Sequence, residues 1–571
     1  MRLVDARRLT GPNLLRPFPL VVVELAFDAS NDEAACEAVY REELGHVREA
    51  FGFTDALSFV VRPHRGGVVL GYEAPVDLML ACTEMSELAA LRACAIHAKA
   101  DPPTIDEKRG LIQGIIDRDR APNMVALRRE ARARDLPFLW DDALVTVGAG
   151  KTARTFDRFA VPDPSTIQWS EIATVPIALV TGTNGKTTSA RLLARVVAES
   201  GRVVGQTSTE AIVIGGVVRE EGDWTGPAAA RVVLRDPAVE VAVLETARGG
   251  ILRRGLAVDH SDVALITNVS DDHLGGYGID DLDAMVAVKA VTARAVRPGG
   301  TVVLNAHDAR LVALAGSLAF VSVILFADLE RADDAAEVAV TAHRAAGGRA
   351  VVARAGTIQW YGGDGPGEDI VPIEAVPICY GGRARYNVEN ALGVAAAATA
   401  LGVSTSAIAS GLRAFTMADN PGRGQLADVR GVRVLLDFGH NPDGVRAVLG
   451  LVRRLREGSS GRLAIVTGSA GDRTDDEISD IARAIVEAGP DRVYIRELPH
   501  YLRGRAIGEV PRLFRAALAG HRLPEGAILE ADSEVAALTA FFADARPGDF
   551  IAVLVHLEQR AVTELLDGLR A

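Results

Sequence analysis

One stretch constrains this chain more than any other: Ile177 to Ala190, IALVTGTNGKTTSA, where an apolar run meets a glycine-rich turn and then a Lys-Thr-Thr that opens a helix. A strand, a Gly turn and a helix N-terminus in that order point backbone N–H groups at a nucleotide's phosphates; the lysine adds charge and the following hydroxyl can ligand Mg²⁺. Thr183, Asn184, Gly185, Lys186, Thr187 and Thr188 are therefore candidate ATP-binding residues. Val180 stands where a strict GxxxxGK[ST] motif has its first glycine, so this is a variant of the P-loop.

The pattern around it is strand, helix, strand. IALV, VAVLETA at Val241 to Ala247, DVALITNV at Asp262 to Val269 and TVVLNAHD at Thr301 to Asp308 alternate with helical segments between Thr174 and about Ala418. This predicts a parallel, doubly wound sheet with ligands at the carboxyl ends of its strands. A Val-, Ile- and Gly-rich insertion from about Ala335 to Tyr380 reads as hairpins. After Pro421 a second α/β unit begins, with VRVLLDFGHNP, LAIVTGSAGDR, RVYIREL and DFIAVLVHL each ending a strand in polar residues. Two such units imply a cleft between them. The expected division is residues 1–165, a small α+β unit; 166–418, the P-loop unit; and 419–571, the C-terminal α/β unit.

The first unit carries a β-like run, Leu20 to Phe27, a helical stretch from Asn31 to about Phe51, a hairpin-like RPHRGGVVLGY, and helical segments around Pro75 to Lys99 and Pro103 to Ala133. GAGKT at Gly148 to Thr152 imitates a P-loop, but no helical pattern follows it. Pro162 and Pro164 mark a linker.

Composition narrows the class. A length of 571 residues suits about three to four domains. The chain is 49% apolar, lacks an 18-residue uncharged run and opens without a charged-then-apolar leader, which predicts a cytoplasmic protein with no membrane partner. A net charge of −13 argues against nucleic acid as a general partner. Cys36, Cys82, Cys94 and Cys379 form no CxxC and read as buried free thiols. A homo-oligomer is left open.

Side chains that carry chemistry gather at strand ends. Glu245 and His273 follow strands expected on the same sheet edge as the P-loop, so both are candidate Mg²⁺ ligands beside Thr187. Asn305 and Asp308 end a strand where an adenine could sit, and Asn387 lies three residues before Asn390 at a helix start, where a cap is the commoner role. In the second unit PGRGQ presents Arg423, and DFGHNP presents Asp437, His440 and Asn441. An arginine delivered from a separate domain can neutralise a transferring γ-phosphate.

TGTNGKT is the P-loop variant of Mur-type amide ligases, and ETARGGILRRGL, GDWTGPAAA, SDDHLGGYGID, RGRAIGE and GDR at Gly471 to Arg473 resemble the Mur-ligase half of the cyanophycin synthetases, over about 400 residues. RLTGPNLLRPFPLVVVEL and the GAG followed by basic residues resemble the N-terminal domain of the same family. Two departures stand out. The family's ATP-grasp module, which adds backbone aspartate, is missing between these parts. Where relatives with primer-cutting activity carry a His-x-x-Glu-His-like cluster, this chain reads APVDLMLACTEMSEL, so that role is not carried over.

The resemblance implies an ATP-dependent, ADP-forming amide ligase that activates a carboxylate as an acyl phosphate and joins it to an amino acid's amine. It implies Lys186 and Arg423 on the transferring charge, Thr187, Glu245 and His273 on Mg²⁺, and Asn305 and Asp437 on the nucleoside. Lys289, in AMVAVKAV, matches the lysine that many Mur-type ligases carbamoylate as a ligand for a second Mg²⁺. Three readings follow: a ligase of a basic amino acid with a β-aspartyl-type carboxylate, a ligase on a glutamyl chain or small metabolite, and a non-catalytic polymer- or partner-binding protein.

Overall fold

The computed structural model describes residues 1–28, 32–272 and 274–570. The N-terminal part is a four-stranded antiparallel sheet in the order Arg2–Leu9, Leu20–Ala26, Gly67–Tyr72, Phe59–His64. Strand Leu20–Ala26 is apolar on both sides because both are covered: Val21, Val23 and Leu25 meet the helices Glu33–Glu49 and Met79–His97, while Leu20 and Val22 pack with Leu9 and Val69. The long helical segment after Pro103 is two helices, Ile105–Asp119 and Pro122–Ala133. Pro122 forces the break, since a proline pushes the residue before it out of the helical region. GAGKT ends in a single 3₁₀ turn, Gly150–Thr152, and runs into strand Arg154–Asp157 of a small three-stranded sheet, while Lys151 Nζ bonds Glu240 at 2.9 Å.

The central sheet has eleven strands. Val204–Thr207, Val241–Glu245, Ile177–Thr181, Ser261–Ile266, Val296–Asn305, Ser322–Asp328 and Arg349–Arg354 lie side by side and parallel. Antiparallel strands close both edges, Ala211–Ile214 and Val217–Glu221 on one side, Thr357–Tyr361 and Glu368–Pro372 on the other. The sheet is thus mixed, not wholly parallel. The expected hairpin insertion is corrected in its first half: it opens with the helix Asp334–Ala345, and Arg349–Arg354 joins the parallel array before the two hairpins at residues 349–361 and 357–372. Asp333 caps that helix, accepting from Ala336 N, and Ala336 and Val340 bury one face at a spacing of four. Helices Lys186–Ala198, Arg385–Ala400 and Thr405–Ala414 cover one side of the sheet; Pro227–Arg235, Leu282–Arg294 and Asp334–Ala345 cover the other.

The C-terminal sheet orders as Gln425–Val429, Val432–Asp437, Phe550–Leu554, Leu463–Thr467, Arg492–Ile495, Ile528–Glu530, parallel after its first, antiparallel pair. Ala384, at the start of the Arg385–Ala400 helix, is buried in the core of this sheet beside Leu435, with Tyr380 and Tyr386 packed against it. The four cysteines are free, Cys94 half-buried and the others buried. Among the described residues no helix is long and apolar enough to cross a membrane.

Candidate functional site

A cleft of about 870 Å³ lies where the carboxyl ends of the central strands face those of the C-terminal sheet. Its floor is the Gly182–Thr188 loop. Val180 is still in the sheet, paired with Glu245 and Leu265, so this loop starts later than a strict P-loop. Gly182 (φ +153°) and Gly185 (φ +85°) make it: a Cβ on the first would collide with Thr267 Oγ1, and on the second with Asn390 Oδ1. Gly185 caps the helix Lys186–Ala198, whose first amides have no intrahelical partner and face the cleft. The strand end beside it fixes the loop, with Asn184 N donating to Asn268 Oδ1 at 2.9 Å and Thr267 Oγ1 donating to Asn184 O at 2.6 Å. Lys186 Nζ folds back onto Gly182 O (3.0 Å) and Thr183 O (2.8 Å). Burial lowers its ammonium pKa, and Glu245 and Asp272 oppose the shift.

Thr187 and Glu245 meet as expected from their strand and helix ends: Thr187 Oγ1 lies 3.2 Å from Glu245 Oε1, and Thr209 N donates to Oε2 at 3.2 Å. Glu245 is 2% exposed, and burial raises its carboxyl pKa against the pull of Lys186 and Arg423. Lys289 also lines the cleft and is 3% exposed; burial, with Lys186 adding repulsion, brings its ammonium down to about 7. His273 lies outside the described residues. Among the described residues no group of three or more His, Cys, Asp or Glu could hold a metal ion.

From the opposite wall the Gly422–Gly424 turn carries Arg423, whose guanidinium sits 4.2 Å from the Phe438 ring centroid, with Nη2 3.5 Å from Glu210 Oε1. Asp437 lines the same wall; burial pushes its carboxyl up to about 6, although Arg423 and the Gly439 amide (2.8 Å) counter it. His440 Nε2 is 3.8 Å from Asp272 Oδ2. Thr188 also lines the cleft, but its hydroxyl accepts from Asn420 Nδ2 at 3.1 Å.

Three predicted nucleotide ligands are not among the described residues that line the cleft. Asn305 bonds Thr267 O at 2.9 Å and Glu389 at 3.1 Å. Asn387 donates to Ile378 O at 2.9 Å and accepts from Asn390 at 3.1 Å, so it is not a helix cap; Ala384 holds that position. Asn441 caps the helix Pro442–Leu455 through Gly444 N (2.8 Å) and pairs amide to amide with Asn184, at 3.0 and 3.2 Å. Their polar groups join protein to protein.

Arg473 was not singled out by its own chemistry. It is 3% exposed and ties Asp272 Oδ1 (2.6 Å) and Glu477 Oε1 (3.0 Å), bridging the two α/β units. The available signal was an arginine four residues before a glutamate at a helix start. Arg248, Arg253 and Tyr277 complete the cleft wall on the side of the N-terminal sheet.

Residues 180–398 match the Mur ligase middle domain, and residues 422–554 the Mur ligase, glutamate ligase domain. The chain belongs to the Mur ligase family. Within it, the chain is similar to cyanophycin synthetase of Nostoc sp., 38% identical over 345 residues, which are 59% of this chain and 36% of that protein. It therefore spans little more than a third of the length of the cyanophycin synthetases it matches. UDP-N-acetylmuramyl-tripeptide synthetase of Leifsonia xyli subsp. xyli is 27% identical over 393 residues, 65% of this chain and 68% of that protein. Among solved structures, E. coli FolC in complex with DHPP and ADP aligns with a TM-score of 0.49 and 21% identity, covering 69% of this chain and 89% of that one.

Proposed function

We propose that this protein is an ATP-dependent, ADP-forming ligase that joins a carboxylate to the amine of an amino acid. The observation that carries the reading is the opposition, across one cleft, of a glycine-built phosphate cradle and Arg423 on a separate domain. The substrate carboxylate attacks the γ-phosphate; the P–O bond to ADP breaks and an acyl phosphate forms. The amine then attacks the acyl carbon, phosphate leaves, and the amine's proton passes to solvent or a nearby base. Lys186 and Arg423 face the charge that spreads over the transferring phosphoryl group. Asp437 and His440, on the wall opposite the P-loop, are the residues proposed to flank the nucleoside.

The residues suit a divalent cation: a buried carboxylate whose charge burial disfavours, with a hydroxyl 3.2 Å away, is an oxygen donor pair that a hard cation would satisfy. Mg²⁺ held by Thr187 and Glu245, with His273 added, would supply charge neutralisation for the phosphates. Lys289 is proposed to work as a carbamate. Carbamate formation consumes the free amine, and a lysine brought down to about 7 offers far more of it at neutral pH than one at the ordinary value near 10.4.

The three expected units, 1–165, 166–418 and 419–571, are proposed as the functional divisions; the separate sheets support them. A cytoplasmic location, where ATP is supplied, belongs to the same proposal. For substrates, the similarity to cyanophycin synthetase favours a basic amino acid and a β-aspartyl-type carboxylate. One cradle activates one class of carboxylate, so a polymer backbone would require preformed units or another enzyme. The test incubates the protein with ATP, Mg²⁺, an aspartyl peptide and arginine, lysine or ornithine, measuring ADP and product mass. One ADP per amide bond is expected. No ADP above the no-amine blank with any pair overturns the reading, and free aspartate built into a polymer backbone overturns the single-carboxylate limit.

A further inference from the structure

The cleft wall made by the helix Arg248–Arg254 and the turn at residues 274–280 is held from behind by the N-terminal sheet. Arg7 Nε donates to Leu252 O at 3.1 Å, Thr10 N to Arg254 O at 2.6 Å, and Leu256 N to Pro12 O at 2.8 Å. Gly11 lies so close to Leu256 O that a Cβ would collide with it. On the turn itself, Arg62, from the strand Phe59–His64, donates Nη2 to Tyr277 O at 2.6 Å and Nη1 to Gly278 O at 2.8 Å. Arg65 N donates to Asp280 Oδ2 at 2.9 Å, and the Arg7 guanidinium lies 5.2 Å from the Tyr277 ring centroid. Behind them Glu24 is buried between Arg7 (3.4 Å) and His64 (3.7 Å).

The turn needs such support. Tyr277 and Gly278 are both left-handed, φ +58° and +63°, and a Cβ on Gly278 would run into the His64 ring. A tyrosine in that region is disfavoured and persists only where its surroundings fix it. A guanidinium fork across two consecutive carbonyls is a rigid way to do so.

We infer that the N-terminal unit is a working part of the cleft wall, and that Arg62 is a positioning residue which sets the turn that carries Tyr277 into the cleft. A domain whose role was only to dock a polymer at a distance would have no need of a fork on this turn. Arg248 and Arg253 line this wall beside Tyr277, so on the ligase reading it takes the carboxylate substrate; the hold on the turn does not depend on that reading.

The experiment compares Arg62→Ala and Arg62→Lys with the wild-type full chain by amide hydrogen exchange and by steady-state kinetics on the aspartyl peptide. Exchange at residues 275–281 should accelerate roughly tenfold or more in Arg62→Ala, which removes both charge-assisted hydrogen bonds of the fork, with the Lys186–Ala198 helix and the N-terminal sheet unchanged. Arg62→Lys, a compact donor without the fork, should fall between. The KM for the peptide should rise about tenfold while that for ATP holds, a split that loss of folded protein would not produce. Unchanged exchange overturns the inference, as does faster exchange with the peptide KM unmoved. If no variant, including wild type, turns over peptide, the ligase reading fails and exchange alone decides whether Arg62 holds the turn.

Discussion

Replacing Gly185 by alanine tests the cradle at its narrowest point. The residue sits at φ +85° as the cap of the P-loop helix, so any side chain there incurs the left-handed penalty of roughly 1–2 kcal/mol. The new Cβ would also strike Asn390 Oδ1. Turning that amide away breaks its 3.1 Å bond to Asn387 Oδ1 and its 3.4 Å bond from Ser189 Oγ, inside a buried layer, at about 1–3 kcal/mol. Gly201 isolates the first contribution: it has φ +80° and nothing within 4 Å of the missing Cβ. Gly201→Ala should therefore lower the thermal midpoint by the backbone amount alone. Gly185→Ala should lie a further ~2–12 °C lower by calorimetry, from about 2–4 °C per kcal/mol in a unit of this size. ATP binding, by titration calorimetry, should weaken roughly 10- to 100-fold in Gly185→Ala, because the helix-start amides shift by a charge-assisted bond or more, and hold in Gly201→Ala. Equal midpoints and equal ATP affinity in the two variants would refute the steric argument.

Lys186→Ala should lower kcat by roughly 10²-fold or more, as single deletions of groups facing developing charge do; wild-type turnover in that variant would remove Lys186 from the reaction. Lys289→Ala should lose activity and recover part of it with added short-chain carboxylates, and removing CO₂ and bicarbonate should slow the wild type; a fully active variant ends the carbamate proposal. Asp437 has a folded-state pKa raised from 3.8 to about 6, so the folded protein binds the extra proton and loses stability as pH rises through that interval, by up to about 3 kcal/mol. Asp437→Asn should therefore gain on the wild type between pH 4 and pH 7 in denaturant melts, and a difference that is flat with pH would show that the carboxyl is not desolvated.

The readable parts of this molecule are those encoded locally. An apolar strand, two glycines and Lys-Thr-Thr lie within ten or so residues, and the strand ends carrying Glu245 and Asp437 are marked by abrupt polarity changes. Asp334–Ala345 misled because its valines suggest strand, while the signal that matters, Asp333 capping and a four-residue apolar spacing, is weak in a short helix. Asn305, Asn387 and Asn441 look like ligands in sequence, since an asparagine bonding a distant carbonyl or amide is indistinguishable from one awaiting a nucleotide. Arg62 was illegible for the same reason: its partner carbonyls are more than two hundred positions away, |i−j| = 215 and 216.

The two α/β units meet through two kinds of contact. Tyr380, Ala384 and Tyr386 share carbon contacts with the C-terminal core, whereas the polar contacts include Asn184 to Asn441, Asn420 to Thr188 and the Arg473–Asp272 ion pair. Exchanging these amide, hydroxyl and ion-pair contacts for contacts with water costs little, since each group is solvated once released, whereas exposing packed carbon costs in proportion to its area. Separation should therefore be a pivot, with the polar latch releasing while the greasy hinge stays shut. Urea well below the unfolding midpoint should open the mouth of this molecule without loosening either half, so on the proposed ligase reading the latch, and not the fold, would set how fast ADP leaves.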